Sequence, residues 1–184
     1  MRTLLQLSTL GFLVLALTGC MSSNVKTFQA DPMQTHHIEQ NINGTVYVGT
    51  FNMAEDDNNS IFCRMAGNVY LPDKMTFSQY IKNAFEKNLV IAKKYEDEAM
   101  EATHQISADI KIVDFSSMAG AWEIAAYIKV DDEEPVYIET ETEYGSSFDA
   151  YTACKNTAES FEMAVQHFVR ATFEHPKIAE ALAE

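Results

Sequence analysis

The amino-acid sequence predicts an α+β fold of two layers, an antiparallel sheet of about five strands with two long helices on one face, in the order β-β-α-β-β-β-α. Three observations carry this. Segments between 106 and 143 alternate apolar and polar side chains with period two, the stretches 76–92 and 149–172 repeat apolar side chains every three or four positions, and the links between the alternating segments are short. A chain of 184 residues with 47% apolar side chains, including eleven Phe, eight Tyr and one Trp, has the material to bury the core of one domain.

The domain is expected over 44–175. It opens with Gly44–Phe51, rich in β-branched and aromatic residues, followed by the polar run 55–60 and a short strand Ile61–Met65, read together as an antiparallel pair. Thr76-Phe-Ser-Gln79 has the capping-box spacing, in which Thr76 accepts from the Gln79 N–H and Gln79 reaches back. The helix it opens places Phe77, Tyr80, Ile81, Ala84, Phe85, Asn88, Ile91 and Ala92 on one face.

Three strands follow. Ile106, Ala108, Ile110 and Ile112 form the covered side of the first, Trp122, Ile124, Ala126, Ile128 and Val130 of the second, and Val136, Ile138, Thr140 and Thr142 of the third. The turn-like links 116–120 and 131–135 require hairpins. Beginning near Ser147 to Asp149, the last helix carries Tyr151, Cys154, Ala158, Phe161, Val165, Phe168 and Thr172 on one stripe and ends at His175-Pro176, leaving 176–184 as a tail.

The first nineteen residues differ from the rest. Arg2 is the only charge before Lys26, and the apolar run Leu10–Leu17 ends in small residues, the order of a secretory signal peptide. Leu17-Thr18-Gly19-Cys20 resembles the lipobox of bacterial lipoproteins, and the chain as a whole is similar to small uncharacterised envelope lipoproteins of proteobacteria. The resemblance implies a lipid on Cys20, cleavage after Gly19 and, with Met21 in place of an Asp, an outer-membrane anchor with the domain in the periplasm. Residues 20–43, which are polar with no clear apolar period, then read as a tether.

Export places Cys63 and Cys154 in an oxidising compartment, where two cysteines make one bridge. Loss of residues 1–19 removes Arg2 and no acid, taking the formal charge from −14 to −15. Such a field disfavours nucleic acid and anionic lipid as partners, so membrane contact is expected through the lipid alone.

No nucleophile elbow, phosphate-binding glycine loop or spaced metal-ligand set is present, so no catalytic residue, metal or cofactor is expected beyond the covalent lipid. Asp56–Ser60 lacks the glycine and the final glutamate of a calcium loop. His36 and His37 are expected as solvated tether residues. On the wet face of the sheet, Tyr137, Glu139, Glu141 and Glu143 line one strand beside Tyr127, with Glu123, Lys129, Asp109 and Lys111 nearby. An acidic face with tyrosines suits a basic partner. The reading is a non-enzymatic, membrane-anchored periplasmic interaction module or accessory in envelope assembly or maintenance. The alternative is a carrier or sensor of a small hydrophobic or cationic ligand, and a hydrolase is the third reading.

Overall fold

The computed structural model describes residues 23–54 and 57–184. Strands β1 (Ser23–Asn24), β3 (Ser60–Cys63) and β4 (Gly67–Tyr70) form a small sheet in the order β1-β4-β3. The main sheet has the order β5-β2-β6-β7-β8, from β2 (Val46–Met53), β5 (Tyr95–Glu96), β6 (His104–Ser116), β7 (Ala121–Val130) and β8 (Val136–Glu143). Helices α2 (Phe77–Ile91) and α3 (Ala150–Glu174) pack on the inner face of the main sheet, and the shorter α1 (Pro32–Asn41) and α4 (Pro176–Ala181) flank them. The two-layer α+β class agrees with the sequence reading; the main sheet has five strands as expected, but β5 completes it in place of the strand at Ile61, which belongs to the small sheet.

The expected first pairing is corrected. The strand at Ile61 does not pair with the strand at Val46: β3 pairs antiparallel with β4, while β2 lies parallel to β5 and β6, so the main sheet is mixed. Antiparallel pairing across 55–60 and a crossover through α2 leave the same local pattern, because pairing partners are chosen by burial and not by loop composition. The β6–β7–β8 meander is antiparallel as expected.

A second correction concerns phase. A register shift between Ile110 and Ile112 leaves Lys111 as an extra residue in β6. Before it Ile106, Ala108 and Ile110 face the core; after it Val113 and Phe115 do, and Ile112 pairs with Ala125 on the outer face. A bulge of one residue reverses every side chain beyond it.

The core is aromatic. Trp122 is fully buried against Phe161, with ring centroids 4.6 Å apart, and against Phe115 at 4.9 Å. Its indole N–H donates to the Thr157 carbonyl at 2.9 Å, so the one polar atom of the largest buried side chain is satisfied from α3. Phe51 packs on Phe85, and Phe85 on Phe168 and Phe173, closing the interlayer over β2. On the helices, Ile91 and Tyr151 are exposed where the apolar spacing placed them in the core, and Leu89 is buried instead. Each exposed residue stands in a terminal turn of its helix.

Residues 23–43, expected as a tether, are folded onto the domain. Phe28 is buried edge-on against Tyr80, and Val25 is buried beside it. Side chains of α2 and α3 satisfy the strap's backbone: Tyr80 Oη donates to Lys26 O at 2.9 Å, Lys87 Nζ to Phe28 O at 3.2 Å and Gln166 Nε2 to Gln29 O at 2.8 Å, while Glu162 Oε1 accepts from Gln29 N at 2.8 Å. Burial, and secondly the Glu162 carboxylate, push the Tyr80 hydroxyl above its ordinary range. Asp31 then caps α1 by accepting from Met33 N at 2.9 Å, pairs with Arg170 and precedes Pro32 at the first helical position. His36 and His37 are therefore helix residues. The expected signal peptide and Cys20 lie outside the described residues.

The C-terminal residues are also folded. Pro176 ends α3 as expected, but its fixed φ also starts α4, which buries Ile178 and is followed by the buried Leu182. The Leu182 carbonyl accepts from Asn43 N at 2.8 Å, joining the C-terminal turn to the link between α1 and β2.

Cys63 and Cys154 form a disulfide with Cα atoms 5.8 Å apart, tying β3 to the first turns of α3. With a sequence separation of 91 residues, the chain-entropy model gives about 4 to 5 kcal/mol as an upper estimate of its effect on the unfolded state. Urea titrations with and without a phosphine reductant should therefore show a midpoint that falls on reduction. An unchanged midpoint would mean that the bridge contributes nothing to stability.

Candidate functional site

Among the described residues no helix packs on the outer face of the main sheet, and the alternation of β7 and β8 decides what it displays. Tyr127, Tyr137, Glu139, Glu141 and Glu143 all lie on this face and are exposed, as the spacing predicts. Register sets their neighbours. Tyr127 pairs directly with Tyr137, their ring centroids 5.1 Å apart, Glu139 pairs with Ala125, and Glu143 with Ala121. Lys111 lies 5.9 Å from the centre of the Tyr127 ring and pairs with Asp109.

Glu141 pairs with Glu123, and Glu123 pairs on its other side with Asp114. Three acids thus stand in one row across three adjacent strands. Like charges directly opposite in a sheet repel, and none of these three has an ion-pair partner among the described residues. Asp114 escaped the sequence reading because it reaches the outer face only through the shift at Lys111. Without that shift its even position would have pointed into the core.

Desolvation among its neighbours, then the adjacent Glu139 carboxylate, holds the Tyr137 hydroxyl above the usual phenol range. Beside the tyrosines a groove of about 470 Å³ runs along the face, lined by Thr50, Asn52, Asp109, Tyr127, Lys129 and Pro135 among others. The face therefore offers an aromatic pair, a shallow groove and a field of unneutralised carboxylates. Those elements suit recognition of a cationic surface and provide no nucleophile with an adjacent base.

A different site stands at one end of the sheet, where the β7–β8 hairpin meets α4. A cleft of about 640 Å³ is floored by Val130, Val136 and Ile178 and rimmed by Asp131, Asp132, Glu133, Glu134, Glu180 and Glu184, with Lys177 as the opposing charge. His104 lines it while only 6% exposed. Its Nδ1 donates to Asp131 Oδ2 at 2.9 Å, and Asp131 Oδ1 accepts from Gln105 N at 2.7 Å, so the imidazole is held from its backbone neighbour. The buried Nε2 has no hydrogen-bond partner among the described residues. Sequence reasoning passed over His104 because Asp131 is 27 positions away and only the β6–β7 pairing brings them together.

Among the described residues no group of three His, Cys, Asp or Glu side chains is placed to hold a metal ion. The polar loop near 57 has a structural use: Asp57 accepts from the Ser78 N–H at 3.0 Å and from its hydroxyl at 2.7 Å, joining Thr76 in capping α2. No helix among the described residues is long and apolar enough to cross a membrane.

No family model matches the chain, and no curated protein matches it. Among solved structures, it is similar to the crystal structure of protein XCC0632 from Xanthomonas campestris, which carries the family description DUF330. The TM-score is 0.53 at 12% identity, over 88% of this chain and 95% of that one. It is also similar to an uncharacterized protein, with TM-score 0.49 at 10% identity over 82% of this chain and 98% of that one. At such identity the first likeness is one of fold.

The row of acids makes a stability prediction. Replacing Glu141 by Lys converts its repulsion with Glu123 into a cross-strand ion pair and should stabilise the domain by about 0.2 to 1 kcal/mol in urea titration. A destabilised E141K protein would show that the row is not repulsive.

Proposed function

We propose that this chain is a lipid-anchored envelope protein of bacteria, held at the outer membrane through Cys20 with its domain in the periplasm, and that it acts there without catalysis by docking a protein partner. The lipobox-like Leu17-Thr18-Gly19-Cys20 supports the address. One observation carries the role: Asp114, Glu123 and Glu141 stand in register across the outer sheet face, next to the Tyr127–Tyr137 pair, and no cation among the described residues pairs with them.

A fold gains nothing from aligning three acids, whereas a partner's Lys and Arg side chains would neutralise them. Complementary charge would steer the encounter, and tyrosines supply rigid contact area at low entropic cost. Glu139, Glu141 and Glu143 on the edge strand β8 also block edge-to-edge pairing of sheets, so the partner is expected to meet the face and not extend the sheet. In this reading the protein is an accessory in envelope assembly or maintenance.

Photo-crosslinker placed at Tyr127 in the full chain should capture a partner in cells, E141K should abolish the capture, and C20S should lose both palmitate label and membrane fractionation. Absence of any crosslinked species at Tyr127 would overturn the docking role, and a C20S protein that still labels and sediments would overturn the anchor.

A second reading is favoured by the unsatisfied Nε2 of His104 in the acidic cleft: a small cation held between hairpin and α4. With spermidine as the probe, calorimetric titration should show saturable binding that H104A weakens at least tenfold while D109N on the outer face leaves it unchanged. Equal binding by all three proteins would reduce the effect to general charge and end this reading.

A further inference from the structure

The end of the domain opposite the His104 cleft is apolar. Phe148 is 105% exposed, Met65 98%, Met118 83% and Phe62 65%. They come from separate parts of the chain: Phe62 from β3, Met65 from the 3-10 turn Arg64–Ala66, Met118 from the β6–β7 turn and Phe148 from the loop before α3.

Arg64 gathers them. Its Nε donates to Ser117 Oγ at 2.8 Å, its Nη2 to Ser117 O at 2.7 Å and its Nη1 to Ser147 O at 3.3 Å. Ser146 Oγ also donates to Ser117 O, at 2.5 Å, so the turn bearing Met118 and the loop bearing Phe148 are tied to each other. Arg64 holds this position with φ of 48°, a left-handed conformation uncommon for a side chain of its size. Arg64, Met118 and Phe148 line a shared open cleft of about 530 Å³. The guanidinium is thus used to fix the loops, and the side chains left facing outward are apolar.

The entry of the chain indicates what covers this end. Strand β1 pairs in parallel with β4, Ser23 against Val69 and Asn24 against Tyr70. A parallel strand arrives from the same side as its neighbour, so the chain reaches Ser23 from the side of Gly67 and the Arg64–Ala66 turn. Cys20 is three residues earlier, and three residues span at most about 11 Å. The strap from Val25 to Ala30 leaves no slack beyond this, because α2 and α3 hold it.

We propose that Phe62, Met65, Met118 and Phe148 form a bilayer-docking surface that seats this end of the domain among the lipid head groups and upper acyl chains. The proposal rests on the lipoprotein reading of Cys20. A lipid on Cys20 brings the membrane surface to this end, and methionine and phenylalanine are side chains that gain from leaving water there. The formal charge of −15 after cleavage favours zwitterionic over anionic lipid. The orientation that follows points the acidic cleft away from the membrane and leaves the Tyr127–Glu141 face standing upright beside it.

The test uses full-chain protein purified from membranes, its intact mass reporting the lipid, in phosphatidylcholine vesicles containing a brominated lipid. Tryptophan is introduced as M65W, F148W or M100W. Met100 is 99% exposed just before β6, whose thirteen residues put it roughly 40 Å from the β6–β7 turn. Trp122 is buried and is common to all three. M65W and F148W should be quenched at least threefold more than M100W, and hydrogen exchange of the unsubstituted protein should slow at 64–66 and 146–148 on vesicles. Equal quenching of a lipidated chain overturns the docking surface alone. A chain without lipid overturns the lipoprotein reading and the docking surface with it.

Discussion

The Trp122 indole, wedged between Phe161 and Phe115 with its N–H on the Thr157 carbonyl, joins the two layers of this protein. A sheet with one apolar face must be covered, and α3 is set over β7 by the largest side chain available and by a hydrogen bond the buried indole needs. From that contact the rest of α3 follows. Its first turns carry Cys154 to Cys63, its middle meets Tyr80 and Phe77 through Phe161, and its far end reaches Phe173 beside Phe85. Polar groups on the same helix, Glu162, Gln166 and Arg170, hold the strap and the cap of α1. One helix thus organises the sheet, the small sheet and the N-terminal segment.

With the helices committed to the inner face, packing against them does not set the composition of the outer face. Its charge distribution works against stability: Asp114, Glu123 and Glu141 repel one another in register while Lys111 is occupied by Asp109 and the Tyr127 ring. Locally unfavourable arrangements of this kind are where function is expected, because nothing in the fold requires them. The two ends of the sheet contrast as strongly. One gathers acids around a buried histidine, and the other gathers exposed apolar side chains around an arginine whose charge is spent on loop carbonyls. A chain of net charge −14 that concentrates apolar surface at the end where its N-terminal segment enters has a polarity along its length.

Much of this was legible in the residues. Period-two alternation in 121–143 placed Tyr127, Tyr137, Glu139, Glu141 and Glu143 on one face, and helical spacing placed Cys154 where Cys63 could meet it. What escaped notice has identifiable causes. The bulge at Lys111 adds one residue and reverses phase, which hid Asp114 and misplaced Ile112. The strap looked structureless because its backbone bonds come from Tyr80, Lys87, Glu162 and Gln166, residues tens of positions away. The pairing of β2 with β6 crosses an intervening helix, and nothing local to Gly44–Phe51 marks it.

By itself the sequence determined the class of fold, the hairpin meander, the two long helices with the capping box of the first and the membership of the tyrosine and glutamate face, since each depends on the pattern of neighbouring residues. Tertiary structure decided the parallel placement of β2, the folding of residues 23–43 and 176–182 onto the core, the His104–Asp131 pair and the convergence of Met118 and Phe148 on Arg64. These join residues far apart in the chain. Whether such groups meet is settled by which apolar surfaces bury together and which backbone groups must then be satisfied, and neither condition is written in any local stretch of residues.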